Sequence, residues 1–195
     1  MDSKRAILEA LRRTDLPPAP LPPYPAPVRF ADPERQFAES LLSVGGRYLR
    51  AADAAQLASQ LAAVEPFARA GRMVSLVPGV GRSDLDLSAI SDPHQLEGLD
   101  FAVLPGAFGV AENGAVWVEG ASLPLRALFV VPQHLALVVP AGAVVQTMQD
   151  AYERIAFRGA GFGVFVSGPS KTADIEQSLV IGAHGARSCT VAILG

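Results

Sequence analysis

The stretch Ser167-Gly168-Pro169-Ser170-Lys171-Thr172-Ala173-Asp174-Ile175-Glu176 gathers hydroxyls, one cation and two acids behind a Gly-Pro pair. It follows an apolar run, Phe162 to Val166, that reads as a buried strand. It leads into residues 173–183, which read as a helix. In open α/β sheets ligands sit at the carboxyl ends of strands, beside helix N-termini. On that geometry Gly168 lets the backbone approach closely and Ser167, Ser170 and Thr172 offer hydroxyls. Lys171 and the first amides of the helix would favour an anion. Asp174 and Glu176 would repel one. The competing reading is local: Thr172 is an N-cap and the two acids complement the helix dipole, worth about 0.3–1 kcal/mol each.

Glu112 is the second candidate. A carboxylate at a strand end facing a crevice can act as nucleophile or general base. Equally, Asn113-Gly114 is a strong signal for a tight hairpin, and Glu112 is then its solvated flank. His134 falls in a short turn between strands, compatible with a loop or a pocket. His184 follows the expected helix, where a cation suits the C-terminal dipole and Gly185 suits the C′ position. The histidines show no HxxxH or HxH spacing, so no metal site is expected. Pro78-Gly79-Val80-Gly81-Arg82 lacks a complete GxGxxG and reads first as a tight turn. The expected site is therefore Glu112 as the catalytic candidate, with Ser167, Gly168, Ser170, Lys171, Thr172, Asp174, His134 and His184 as ligand-binding candidates.

These residues need elements to position them. Helical spacing predicts helices over 2–13, 34–44, 54–68, 144–157 and 173–183. Short apolar runs predict strands at 47–49, 73–77, 101–104, 115–118, 128–131, 135–139, 162–166 and 189–194. Strands alternating with helices imply a three-layer, Rossmann-like α/β fold with helices on both faces. The central hairpin makes the sheet mixed, though mostly parallel. Residues 16–33 hold eight of the sixteen prolines, a density that forbids helix and favours an extended arm or a docking ligand. The expected division is an N-terminal helix and proline-rich arm over 1–33, then one α/β domain over 34–195.

Composition limits the function. Half of the 195 residues are hydrophobic, yet no apolar run reaches the roughly 18 residues a membrane-spanning helix needs. A net charge of -3 with scattered signs gives no case for nucleic acid. The opening residues lack the apolar h-region of a secretory signal, and a reducing, cytoplasmic location is expected. The single cysteine, Cys189, excludes an internal disulfide and a self-contained iron–sulfur cluster.

Ser167 to Glu176, followed by Leu179-Val180-Ile181-Gly182-Ala183-His184-Gly185, resembles the signature of the lactate-utilisation protein C family, the LUD domain. Val110-Ala111-Glu112-Asn113-Gly114 and Pro132-Gln133-His134-Leu135 extend the likeness, which runs from about Ala102 to the C-terminus. Lys171 stands where arginine is usual, Asn113-Gly114-Ala115 where Thr-Gly-Thr is usual, and Ala186 where proline is usual. The lysine keeps the charge and loses the bidentate fork.

The resemblance implies a fold similar to the NagB, ribose-phosphate isomerase and CoA-transferase superfamily. It implies a part in oxidising L-lactate to pyruvate with iron–sulfur partner subunits, and a small anionic ligand. No cofactor is expected on this chain alone, since a lone cysteine leaves the clusters to the partners. Ala111-Glu112-Asn113-Gly114 also resembles the Ser-Glu-Asn-Gly motif of class I CoA transferases, whose glutamate forms a thioester with CoA. Two alternatives stay open: an independent CoA-transferase-like or phospho-sugar enzyme using Glu112, and a non-catalytic assembly protein.

Overall fold

The computed structural model describes residues 3–13, 19–20, 22, 26–155, 161–173 and 179–195. Its centre is a five-stranded, wholly parallel sheet. The strands are β1 (Arg47–Ala51), β2 (Met73–Ser75), β3 (Phe101–Pro105), β6 (His134–Pro140) and β11 (Ser188–Leu194), ordered β1-β11-β6-β3-β2. Near-continuous apolar runs are what a sheet buried on both faces requires. Period-2 alternation then divides each strand between two cores. Ala102, Leu104, Leu135, Leu137, Val191 and Ile193 face one of them. Phe101, Val103, Ala136, Val138 and Ala192 face the other.

The second core is closed by α3 (Ala54–Ala62) and α4 (Glu65–Ala68), through Leu57, Leu61 and Val64. Asp53 caps α3, accepting from Gln56 N at 2.8 Å. One helix was expected over 54–68, and it divides because Pro66 lacks an amide donor and would crowd the carbonyl of Ala62.

The first core is closed by α2 (Pro33–Ser43) and by a second sheet. Asp32 caps α2, accepting from Arg35 N at 3.0 Å, and Phe37 and Leu41 point inward. The second sheet comprises β4 (Phe108–Val110), β5 (Ala115–Glu119), β7 (Val144–Val145) and β8 (Gly163–Val166), ordered β7-β4-β5-β8. β4 and β5 form the expected hairpin about Asn113-Gly114. Gly114 has φ +66°, and Asn113 Oδ1 accepts from Ala115 N at 3.1 Å. The layered α/β fold with a mostly parallel central sheet is thus present. The antiparallel pairing is confined to the second sheet and to a small hairpin.

That hairpin corrects the sequence reading. β9 (Lys171–Ala173) pairs antiparallel with β10 (Leu179–Ile181), where a helix over 173–183 was expected. Short apolar stretches such as Leu179-Val180-Ile181 suit either conformation, and pairing with Lys171-Thr172-Ala173 decides for strand. Thr172 is therefore no helix N-cap, and His184 does not follow a helix. Two further elements differ. Residues 128–131 lie in and after a 3₁₀ turn, Arg126–Phe129, rather than a strand. The helix expected over 144–157 begins only at α5 (Met148–Arg154), because Thr147 and Asp150 form a capping box. Val145, although at helical spacing, belongs to β7; residues 156–157 lie outside the described residues.

Before the body stands α1 (Ser3–Arg12), whose residues are all exposed. The described end of the proline-rich arm lies on the body. Phe30 N donates to Gln146 Oε1 at 2.7 Å, Gln146 Nε2 donates to Phe30 O at 3.3 Å, and Arg29 pairs with Asp150 at 2.7 Å. Among the described residues no helix is long and apolar enough to cross a membrane.

Candidate functional site

β8 pairs with β5 in the second sheet, so the loop that leaves it does not open at the carboxyl edge of the parallel sheet. The loop packs instead against the residues that precede β1 and β11, at the sheet's amino edge. Gly168, at φ +72°, is pressed against Val44, and a Cβ there would stand 2.9 Å from both Val44 Cγ2 and Val44 O. Only glycine fits. Ser170 N donates to Ala186 O at 2.8 Å, and Gly182 N donates to Ser170 O at 2.9 Å. This corrects the expected carboxyl-end placement: a strand's exit obeys that rule only if the strand belongs to the parallel sheet.

The loop forms one wall of a cleft of about 230 Å³. Phe129, Val130, Leu135 and Phe165 supply apolar surface, while Ser167, Ser170 and the exposed His184 supply polar atoms. Gly168 also lines it. Four expected site residues are therefore brought together. An apolar floor with a few polar groups suits a small ligand with one polar end.

The other expected residues go elsewhere. Lys171 reaches over the turn before β1, its Nζ 3.8 Å from the position a Cβ on Gly45 would take. Thr172 is paired across the hairpin with Val180. Asp174 lies outside the described residues, as do Ile175 and Glu176. Glu112 is exposed, and its Oε2 accepts from Met148 N at 2.9 Å, so the carboxylate caps the start of α5. The same turn is stitched by Ala111 N to Val145 O and Glu112 N to Gln146 O, at 2.9 and 3.0 Å. Ser167 Oγ donates to the carbonyl of Asn113 at 2.8 Å, which ties the hairpin to the cleft.

His134 opens β6 at the amino edge, in register with Phe101 on one side and Ser188 on the other. Its ring stacks on Phe101 at 6.3 Å, and Nδ1 lies 2.8 Å from Ser188 Oγ. Burial, reinforced by Arg187, holds this imidazole below its usual range. Sequence reading did not single out Ser188, which becomes the partner of His134 only through strand register. Among the described residues no three His, Cys, Asp or Glu side chains stand close enough to hold a metal. Cys189 is 2% exposed, and burial pushes its thiol up to about 12, so it stays protonated at neutral pH.

The sequence model of the LUD domain matches residues 93–194. The chain is also 31% identical over 188 aligned residues to Lactate utilization protein C of Deinococcus radiodurans, covering 91% of this chain and 88% of that one. The chain belongs to the LUD domain family. The match takes in Glu112, His134, Ser167 to Thr172 and His184, as the motif resemblance implied. A second LUD relative, Lactate utilization protein C of Shouchella clausii, is 30% identical over 106 residues, which is 51% of this chain and 46% of the relative. The LUD fold itself is supported by the crystal structure of a DUF162 family protein from Deinococcus radiodurans. It superposes with a TM-score of 0.66 at 20% identity, over 87% of this chain and 100% of that one.

Proposed function

We propose that this LUD protein serves lactate utilisation as an accessory or substrate-handling subunit. It would support the oxidation of L-lactate to pyruvate beside iron–sulfur partner proteins that carry the electrons. The observation that carries this reading is the nearly end-to-end likeness to Lactate utilization protein C of Deinococcus radiodurans. The lone cysteine supports the division of labour, since one thiol falls short of the several that a cluster takes. Ser167, Gly168, Ser170 and His184 would hold a small organic anion in the cleft they share. The engagement of Glu112 by the Met148 amide favours a positioning role over covalent catalysis, which lowers support for a CoA-transferase-like activity.

The test is reconstitution of the full chain with purified iron–sulfur lactate-utilisation proteins, following L-lactate-dependent reduction of an electron-accepting dye. Dye reduction should collapse when this chain is left out and fall when Ser170→Leu fills the cleft. An unchanged rate without the chain would overturn the reading.

A further inference from the structure

A second cleft, of about 350 Å³, lies at the same edge of the parallel sheet but opens toward the α3–α4 side. Val64 and Pro66 give it an apolar wall, and Arg47, Ser188 and Thr190 give it polar groups. Thr190 is 3% exposed, and its hydroxyl has no side-chain hydrogen bond among the described residues. Its oxygen is not sealed in the core, so it can bond a ligand from the cleft it lines. Arg47 forms no ion pair among the described residues. Ser188 is backed by His134 at 2.8 Å. The Lys171 ammonium stands beside Gly45, another lining residue. The acid next to Pro66, Glu65, is occupied by Arg69 at 2.8 Å.

The geometry points to a second ligand site here, built for a small organic carboxylate distinct from any ligand of the 167–170 cleft. Arg47 and Lys171 meet the carboxylate, the hydroxyls of Ser188 and Thr190 bond its oxygens, and Val64 and Pro66 cover its carbon end. A guanidinium with nearby hydroxyl donors suits a planar carboxylate, and the apolar wall gives a short carbon chain an advantage over inorganic phosphate. The site rests on its own residues and does not depend on the lactate reading.

Calorimetric titration of the full chain with pyruvate, propionate and inorganic phosphate at constant ionic strength tests it. Both carboxylates should bind, and phosphate more weakly. Arg47→Gln should weaken pyruvate by about tenfold or more, and Thr190→Val by about two- to tenfold. Thr190→Val removes a hydroxyl without a protein partner and keeps the shape, so its melting temperature should not fall. That separates lost binding from lost folding. In a Ser170→Ala background, where any ligand of the 167–170 cleft is weakened, pyruvate binding that depends on Arg47 and Thr190 should persist. The inference is overturned if neither carboxylate binds at about 20 mM, or if phosphate binds as well as both. It is overturned equally if binding ignores Arg47→Gln and Thr190→Val. Sensitivity to Ser170→Ala alone would place the anion in the 167–170 cleft, sparing the proposed function while removing this second site.

Discussion

The hydroxyl of Ser167 donates to the carbonyl oxygen of Asn113 across 2.8 Å, joining two residues 54 positions apart. The hairpin that carries Glu112 and the loop that carries Ser167 to Ser170 are thereby held as one unit. A side-chain to backbone bond of this kind contributes only about 0.5–1.5 kcal/mol. It fixes the mouth of the cleft rather than the stability of the fold.

Glu112→Ala should act as the loss of a helix cap. Its carboxylate accepts the Met148 amide, and the neighbouring capping box of Thr147 and Asp150 remains in the variant. Denaturant unfolding should show a loss of about 0.5–1 kcal/mol. Trapping of a glutamyl adduct by acyl-CoA and hydroxylamine should fail in the wild type. A trapped adduct would restore Glu112 as a nucleophile.

His134 should make stability fall on mild acidification. Its folded-state pKa is lowered by burial and by Arg187, while an unfolded histidine titrates near about 6.5. The unfolded chain thus takes up the proton first, and the contribution of His134 is present above that value and lost as pH falls below it. Melting temperatures between pH 7.5 and pH 5 should decline less steeply in His134→Gln. His94, fully exposed and raised by Asp92, works in the opposite direction but weakly. A variant with the same slope as the wild type would show that His134 is not responsible.

Two glycines with similar φ should respond very differently to alanine. A Cβ on Gly114 would stand 2.5 Å from Leu41 N and 2.7 Å from Leu41 Cα, while one on Gly142 meets nothing within 4 Å. Gly142→Ala should cost about 1–2 kcal/mol, the strain of the left-handed backbone. Gly114→Ala adds a clash with helical backbone that cannot rotate away, for about 2–4 kcal/mol in all. Equal losses in chemical denaturation would contradict the packing of this hairpin on α2.

The arm is held at Phe30 by the Gln146 amide. Gln146→Ala should remove about 1 kcal/mol of local stability and speed tryptic cleavage at Arg29 several-fold, with little change in global melting. The Arg29–Asp150 pair is too exposed to hold the segment alone. Cleavage at the wild-type rate would show that other contacts anchor the arm.

Cys189 should resist alkylation in the folded chain at pH 8. Its thiol is buried and pushed up to about 12, so almost no thiolate is present. Iodoacetamide labelling, followed by mass, should occur only after denaturation. Rapid labelling of the native chain would mean that β11 is far less protected than its burial indicates.

By itself, the sequence determined the features that rest on local physics. Short, continuous apolar runs between turn residues, such as Leu135 to Val139, point to strands of a sheet buried on both faces. Asn113-Gly114 admits a tight hairpin because glycine tolerates φ +66°. The motif Ser167 to Glu176 identified the family. Tertiary structure alone decided which residues meet. Within the helix expected over 173–183, Leu179–Ile181 is instead a strand paired with Lys171–Ala173, because the choice lies in a pairing between two short segments rather than in either one. The loop after β8 came to the amino edge because β8 pairs with β5 outside the parallel sheet. Phe101, His134 and Ser188 form one row only through the register of three parallel strands, a relation between distant segments that no local spacing encodes.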